Sequence, residues 1–544
     1  MPNIPVRNLG GVGIISDINV YDLPPHALSS GVNVRFENGK VTRAPLFRRV
    51  HEFPTTPDFS PAHILAIPPI STGVESLVVV AEDYSRILSV TGETVVDMTP
   101  LGLTEGVTFL PVTHCILGGV TYINRGDNVP LSKTSSDAGF IKLPHWDASW
   151  RCQALRSYKD TVIAMNVIKG ADVFPSMVKW SDFAGFNQVP GDWDATSTTN
   201  SAGENILNEM EGPIVDGATL GDTFYIYGEN EVWAMNYIGG PLIYDFRKRF
   251  NDRGVLNTNC VVEVDGLHYV FGRNDIYVHD GASPRSIVHG QNKDYIFDSI
   301  LKQYNHLAFV SHDPKLNEIH FCYVSDDQLV GFRGTTAGAN RAAVFNYKRS
   351  TWSFYDLPCV RASTNAAVVT GMTYEDAADT VYLEAGGTYL GEADEAEKHV
   401  LFVGCKDTSV GLSQSRIYGF TPASGGRLNK PFDSEANKPA FVERIGIDLD
   451  ESDVPLTAYK SLLSIYPQIG LAEPTDLAQF QFGATDVTGQ SPLWDIPRPF
   501  DPARDNKVDI RVAGRYLGYR LYFSGSSDFA FSGFDARITV RGKR

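Results

Sequence analysis

Three carboxylates, Asp182, Asp192 and Asp194, fall close together in one polar stretch running from Trp180 to Glu211. Glycoside hydrolysis needs such a pair, one carboxyl as acid and the other as base or nucleophile. This is the one place where the sequence offers carboxylate chemistry, and a polar surface loop explains the same residues more simply.

Other combinations fall short of a reaction. The acidic run Asp448 to Asp453 lacks the glycine and the terminal bidentate glutamate of a calcium loop and reads as a solvated turn. Gly10-Gly11-Val12-Gly13 is not GxGxxG, and neither a GxxxxGK[ST] phosphate loop, a GxSxG elbow nor HExxH occurs. His268, His279 and His289 read as packed or exposed side chains, not ligands. Cys115, Cys152, Cys260, Cys322, Cys359 and Cys405 show no CxxC spacing and read as buried free thiols. Arg125-Gly126-Asp127 lies between strand-like segments and reads as a turn. The expectation is therefore a protein that is not an enzyme, with no catalytic, cofactor-binding or metal-binding residues and no cofactor.

A net charge of −17 over 544 residues opposes a surface that grips nucleic acid throughout, since phosphate binding rests on clustered Lys and Arg. An acidic wall suits passage of DNA better than its capture. The basic phrase Asp245 to Gly254 and the terminal Arg537 to Arg544 could meet phosphate, but subunit contact is the preferred reading for both. The start of the chain lacks the pattern of a signal peptide, and the longest apolar runs, such as Ser76 to Ala81, are too short to span a bilayer.

The elements that position these residues are short strands. With 49 Gly and 31 Pro the chain is rich in turns, and helical periodicity is nearly absent. Up to about residue 420 it repeats strand, turn, strand in units of roughly 35 to 55 residues, the range of propeller blades. His63 to Pro100 holds four such strands. Six or seven blades can be drawn, because sheets stacked around an axis bury each other's faces. Two or three β-sandwiches in series would use the same grammar and are the weaker alternative.

The expected organisation is all-β. Residues 1–60 form an N-terminal strand-turn-strand segment that closes or braces the propeller, and 61–420 form a β-propeller-like repeat of short antiparallel sheets. An insertion at about 180–211 is carried outward, 421–439 is a linker around Gly425-Gly426, and 440–544 is a C-terminal β-sandwich.

Three stretches taken together resemble a known family. The opening joins Gly10 to Val12, Leu23 to Pro25, Asn33 to Phe36, Asn38, Gly39 and Arg43. The centre holds the Tyr227 to Trp233 step and the phrases Asp252 to Leu256 and Asp275 to Gly281, and the end holds Gly514 to Arg520. In order and spacing these are similar to the tail nozzle, or tail tubular B-type, virion proteins of short-tailed bacteriophages (podoviruses). The resemblance implies a structural protein of the virion tail, made in the host bacterial cytoplasm. It implies a ring-shaped homo-oligomer, commonly a hexamer, around the channel through which double-stranded DNA leaves during genome delivery. It also implies contacts with adaptor and portal-proximal proteins above and with tail fibres or a tip protein below. A tail-tip propeller that binds a receptor or degrades glycans is the alternative function.

Overall fold

Paired left-handed residues set many of the turns. Asn38 (φ 49°) and Gly39 (φ 74°) join strands Val34–Glu37 and Lys40–Arg43 in a two-residue hairpin, with Glu37 opposite Lys40. The computed structural model describes the chain except residues 1–2, 25, 55–58, 70–74, 93, 104–105, 107–108, 328–331, 333–336, 368–397, 423–430, 450–457, 473–477, 488, 526 and 542–544. Pro25, most of the repeat drawn after residue 365, Gly425-Gly426, residues 450–453 of the acidic run and the last three residues lie outside the described residues.

The expected all-β propeller-like repeat with a terminal sandwich is the architecture present. Four-stranded antiparallel sheets follow one another at residues 61–97, 112–142, 150–206, 214–251 and 261–286 as blades one to five. Blade six comprises Phe309–Asp313, Glu318–Tyr323, Ala339–Asn346 and the first half of Thr351–Ala367. That long strand shifts register at Val360, beside Cys359 (φ 49°), and its second half opens blade seven with Lys398–Gly404 and Arg416–Thr421. Strand Leu46–Glu52 completes blade seven by pairing with Arg416–Thr421, so the N-terminal segment supplies the last strand of the ring. The first strands of successive blades contact one another in a closed circuit that returns from Thr351–Ala367 to Pro61–Ile67.

Apolar side chains fill the seams. Leu65 and Val78 of blade one meet Ile123 and Leu131 of blade two, and Ile163 and Val178 of blade three meet Phe224 and Ile226 of blade four. Leu401 and Ile417 of blade seven meet Ile64 and Val79 of blade one. Each such side chain stabilises the ring by ~1.5–3 kcal/mol relative to exposure. All six cysteines are buried free thiols. Among the described residues the one α-helix, Lys293–Ser299, follows blade five, and no helix is long and apolar enough to cross a membrane.

The sandwich is not built from 440–544 alone. One of its six-stranded sheets orders Val508–Gly514, Tyr459–Leu471, Phe529–Arg541, Lys40–Arg43 and Val34–Glu37, with Asn3–Arg7 also on Phe529–Arg541. The other takes Ser30–Val32 onto Ala440–Ile447. The chain therefore starts in the sandwich, builds the propeller, and returns. Nor is 180–211 wholly an insertion: Gly203–Ile206 pairs with Asp172–Trp180 as the fourth strand of blade three, leaving only 181–202 as a connecting loop. The segment after residue 430 is no free linker, because Asp433 and Glu435 lie 2.9 and 2.7 Å from Arg416 Nη1 and Asn437 donates to the Phe47 carbonyl.

Candidate functional site

The first strand of every blade sends side chains toward the propeller axis, where His63, His114, Arg156, Asp216, Asn259 and Arg361 line a cavity of about 400 Å³. Arg156 grips Asp216 with two bonds, Nε to Oδ1 at 2.8 Å and Nη2 to Oδ2 at 2.7 Å. The same guanidinium donates to the His114 carbonyl at 3.0 Å and to Asn259 Oδ1 at 2.8 Å. Asn259 donates its backbone N–H to Asp216 Oδ2 and its side-chain amide to the Val112 carbonyl. One ion pair thus ties blades two, three and four to the segment entering blade five. Burial opposes the guanidinium's charge, but Asp216 overrides it and holds Arg156 more firmly protonated than a free arginine.

Beside this network His63 Nε2 and His114 Nδ1 lie 2.8 Å apart across the seam of blades one and two. Burial, then the neighbouring Arg156, lowers His114 to about 4, and burial with His114 and Arg156 pushes His63 well below its usual value. Both imidazoles are therefore neutral at pH 7. Among the described residues no group of three His, Cys, Asp or Glu converges to hold a metal ion. With its cation and anion matched and its donors directed at protein acceptors, the arrangement organises the axis of the ring.

A second histidine pair, His268 and His279, stands directly paired across a hairpin of blade five. Tyr227 of blade four lies between them, its hydroxyl 2.6 Å from His268 Nδ1 and 2.7 Å from His279 Nε2. Gly281 N–H donates to His279 Nδ1, and His268 Nε2 faces the Thr219 carbonyl at 2.9 Å. These outer contacts fix a one-way chain: His279 Nε2–H to Tyr227, Tyr227 O–H to His268 Nδ1, and His268 Nε2–H to Thr219. Both histidines are buried, the first of the two readings, packed or exposed, that the sequence allows, and the chain between them is not legible there; their opposed places on two adjoining strands are the available signal.

The loop carboxylates are committed to turns. Asp192 Oδ1 accepts the N–H groups of Trp193 and Asp194, and its Oδ2 accepts Asn200 Nδ2 at 2.6 Å. Asp194 accepts from Thr196 N–H and hydroxyl, and Asp182 from Phe183 and Ser201 N–H. Hydrogen bonds hold the Asp192 and Asp194 carboxyls below the usual carboxylate range, opposite to what a general acid requires. Arg125 is buried, 3.0 Å from Asp127, and donates to the Glu82 carbonyl of blade one. The basic strand Tyr244–Asn251 is the outer edge of blade four, with Arg247 on Asp245 and Lys248 on Glu231. His289 is exposed.

Residues of the opening stretch of the resemblance, Asn33 to Phe36, Asn38 and Arg43, meet at the joint of sandwich and propeller. Asn33 (φ 57°) donates to Asp356 Oδ2 of blade six and to the Pro439 carbonyl, and accepts from Asp356 N–H. Arg35 Nε lies 3.2 Å from Glu318 Oε1, and Arg43 Nη2 donates to the Lys438 carbonyl at 2.6 Å. Arg349 reaches back to the Phe36 carbonyl and to Asn38.

The fold and site together define an all-β protein of seven propeller-like blades with an interlocked sandwich. No protein-family model and no curated protein matches the chain. Among solved structures it is similar to one titled "YCF48 bound to D1 peptide", at 9% identity and a TM-score of 0.34, over 72% of this chain and 99% of that one.

Proposed function

We propose that this chain is a structural subunit of a short-tailed phage tail, a nozzle protein that assembles into a ring around the DNA exit channel and acts in genome delivery. The observation that carries the reading is that the opening and closing stretches of the resemblance are built into one sandwich. Ser30–Val32 pairs with Ala440–Ile447, which pairs in turn with Tyr516–Phe523 of the Gly514 to Arg520 phrase. Lys40–Arg43 pairs with Phe529–Arg541, and Asn33 knots that unit to blade six. Such interlocking suits a part that must hold shape under load.

The axial cavity has the size of a small-ligand pocket and is crossed by the Arg156 to Asp216 pair, so on this reading DNA passes between copies and not through one propeller. The acidic net charge favours passage without capture. Adaptor and portal-proximal proteins above, and fibres or a tip protein below, then meet the loop ends of the blades.

Imaging the purified protein and the virion tail tests this. Rings with a central hole support it, and a protein monomeric at every concentration and absent from purified virions overturns it. The glycan-degrading alternative rests on Asp182, Asp192 and Asp194, whose turn-forming bonds leave it without a poised acid.

A further inference from the structure

Two exposed apolar patches lie at different places on the ring of blades. The first spans blades three and four: Phe183 and Phe186 on the 181–202 loop, and Tyr237, Ile238 and Leu242 at the hairpin between the last two strands of blade four. The rings of Phe183 and Tyr237 are 6.4 Å apart, so the loop and the hairpin form one surface. Phe186 is 73% and Leu242 72% exposed, values that leave large side chains in water.

The hairpin is held for presentation. Ile238 and Gly239 N–H both donate to the Ile243 carbonyl, and Ile243 itself has φ 56°, a left-handed conformation that a β-branched residue adopts only when its surroundings impose it. Asp160 and Asp222 border this patch: Ala184 N–H donates to the Asp160 carbonyl, and Tyr158, bonded to the Asp222 carbonyl, also receives the Tyr237 N–H. Lys159 neutralises Asp222, and Asp160 forms no ion pair among the described residues.

The second patch spans blades one and two. Val95 and Val96 lie on the outer edge strand Thr94–Asp97, whose four residues are all exposed, with Leu101 97% exposed and Ile141 on the outer strand of blade two. Phe140 N–H donates to the Met98 carbonyl, and Lys142 Nζ reaches to within 3.7 Å of the Cβ position of Gly102, so these segments are contiguous. Lys142 forms no ion pair among the described residues.

We propose that the hairpin patch of blades three and four docks on the edge patch of blades one and two of a second copy, with Asp160 facing Lys142. The inference rests on the ring reading above and supplies its subunit contact. Both surfaces are apolar, the hairpin patch borders Asp160 and the edge patch Lys142, while Asp97 of the edge strand is turned to Thr99 N–H and hydroxyl, and that strand offers free backbone groups. Because the patches are different surfaces of one chain, the contact is heterologous, which makes rings where the rotation closes and never two-fold dimers.

Leu242→Glu disables the first patch and Leu101→Glu the second; both positions are exposed, so melting temperatures should stay within a degree or two of wild type. Each variant alone should weaken self-association by at least roughly 100-fold and run as a monomer where wild type is a ring. An equimolar mixture should give dimers and no larger species, since only one intact patch of each kind remains to meet. Ile238→Glu and Val96→Glu provide the same pair independently. Rings that survive in the variants, or a mixture that stays monomeric, overturn this contact and leave the ring reading standing. A wild type that forms no rings overturns both.

Discussion

Arg35 and Glu318 stand 283 positions apart in the chain, yet Nε and Oε1 are 3.2 Å apart at the buried joint of sandwich and blade six. Tyr355 donates its hydroxyl to the other carboxylate oxygen at 3.0 Å. Burial pushes the Glu318 carboxyl up, but His320, Arg35 and Tyr355 together hold it below the usual carboxylate range, so it stays charged.

Removing one partner leaves a buried charge unmatched. Arg35→Ala should therefore lower unfolding stability by ~3–5 kcal/mol, whereas Arg35→Met with Glu318→Leu should recover most of it. Urea titrations of the two variants beside wild type measure the difference. Equal losses in both would show that the lost packing, and not the stranded carboxylate, carries the cost.

The chain His279, Tyr227, His268 closes only with both imidazoles neutral. Burial lowers His268 to about 4, and burial with His268 lowers His279 to about 3, while both titrate near 6.5 when unfolded. The folded values are the lower ones, so protons bind the unfolded chain first. This stabilisation is complete above about pH 6.5 and is lost as pH falls toward 4, by ~3 kcal/mol for His268 alone. Urea midpoints between pH 7.5 and 4.5 should fall steeply, and His268→Phe with His279→Phe should remove these two residues' share of that slope, His63 and His114 keeping theirs.

Tyr227→Phe at pH 7 removes both central bonds and should cost ~1–3 kcal/mol, because His279 Nε2–H and His268 Nδ1 lose their partner. Hydrogen exchange should quicken first at Thr223–Gly228 and Leu267–Phe271. Unchanged protection there would mean that the seam is held by its apolar packing alone.

Phe47 of the closing strand packs against Phe402, Tyr418 and Phe420. Phe47→Ala should destabilise by ~3–5 kcal/mol and expose Arg416–Thr421 to exchange before any other blade. A loss spread evenly over all seven blades would mean that closure is not local.

Asp192→Asn and Asp194→Asn should loosen the 181–202 loop without touching any hydrolytic activity, since the structural reading expects none. The check is incubation with host surface polysaccharide. Cleavage by wild type that Asp192→Asn abolishes would falsify the nozzle reading in favour of the glycan-degrading one.

Short strand-forming runs bounded by turns made the blades legible, because each β-branched or aromatic run such as Ser76–Ala81 or Thr223–Gly228 states its own conformation locally. The sequence reads residues 1–60 as closing or bracing the propeller, but the pairing is not legible: nothing in Leu46–Glu52 says that its partner begins at Arg416. Gly203–Ile206 escaped notice because four mixed residues carry no alternation, so the last strand of blade three looked like loop. Asp192 and Asp194 looked like candidate chemistry for the property that makes them turn formers, a short acceptor near its own backbone. Arg35 and Asn33 were singled out by resemblance, but their partners Glu318 and Asp356 become visible only once sheets are placed in space.

Strand Leu46–Glu52 also sets a schedule. It leaves the ribosome some 360 residues before Arg416–Thr421, which at ~5–20 residues per second is a wait on the order of 20 to 70 s. During that interval blade seven has its outer strand but not the inner strands that strand must join, and the nascent ring is an open arc, so the newborn chain carries an unsatisfied edge for most of its synthesis. Completion of one late hairpin converts that arc into a closed body, and the order of synthesis thereby fixes when the ring can close.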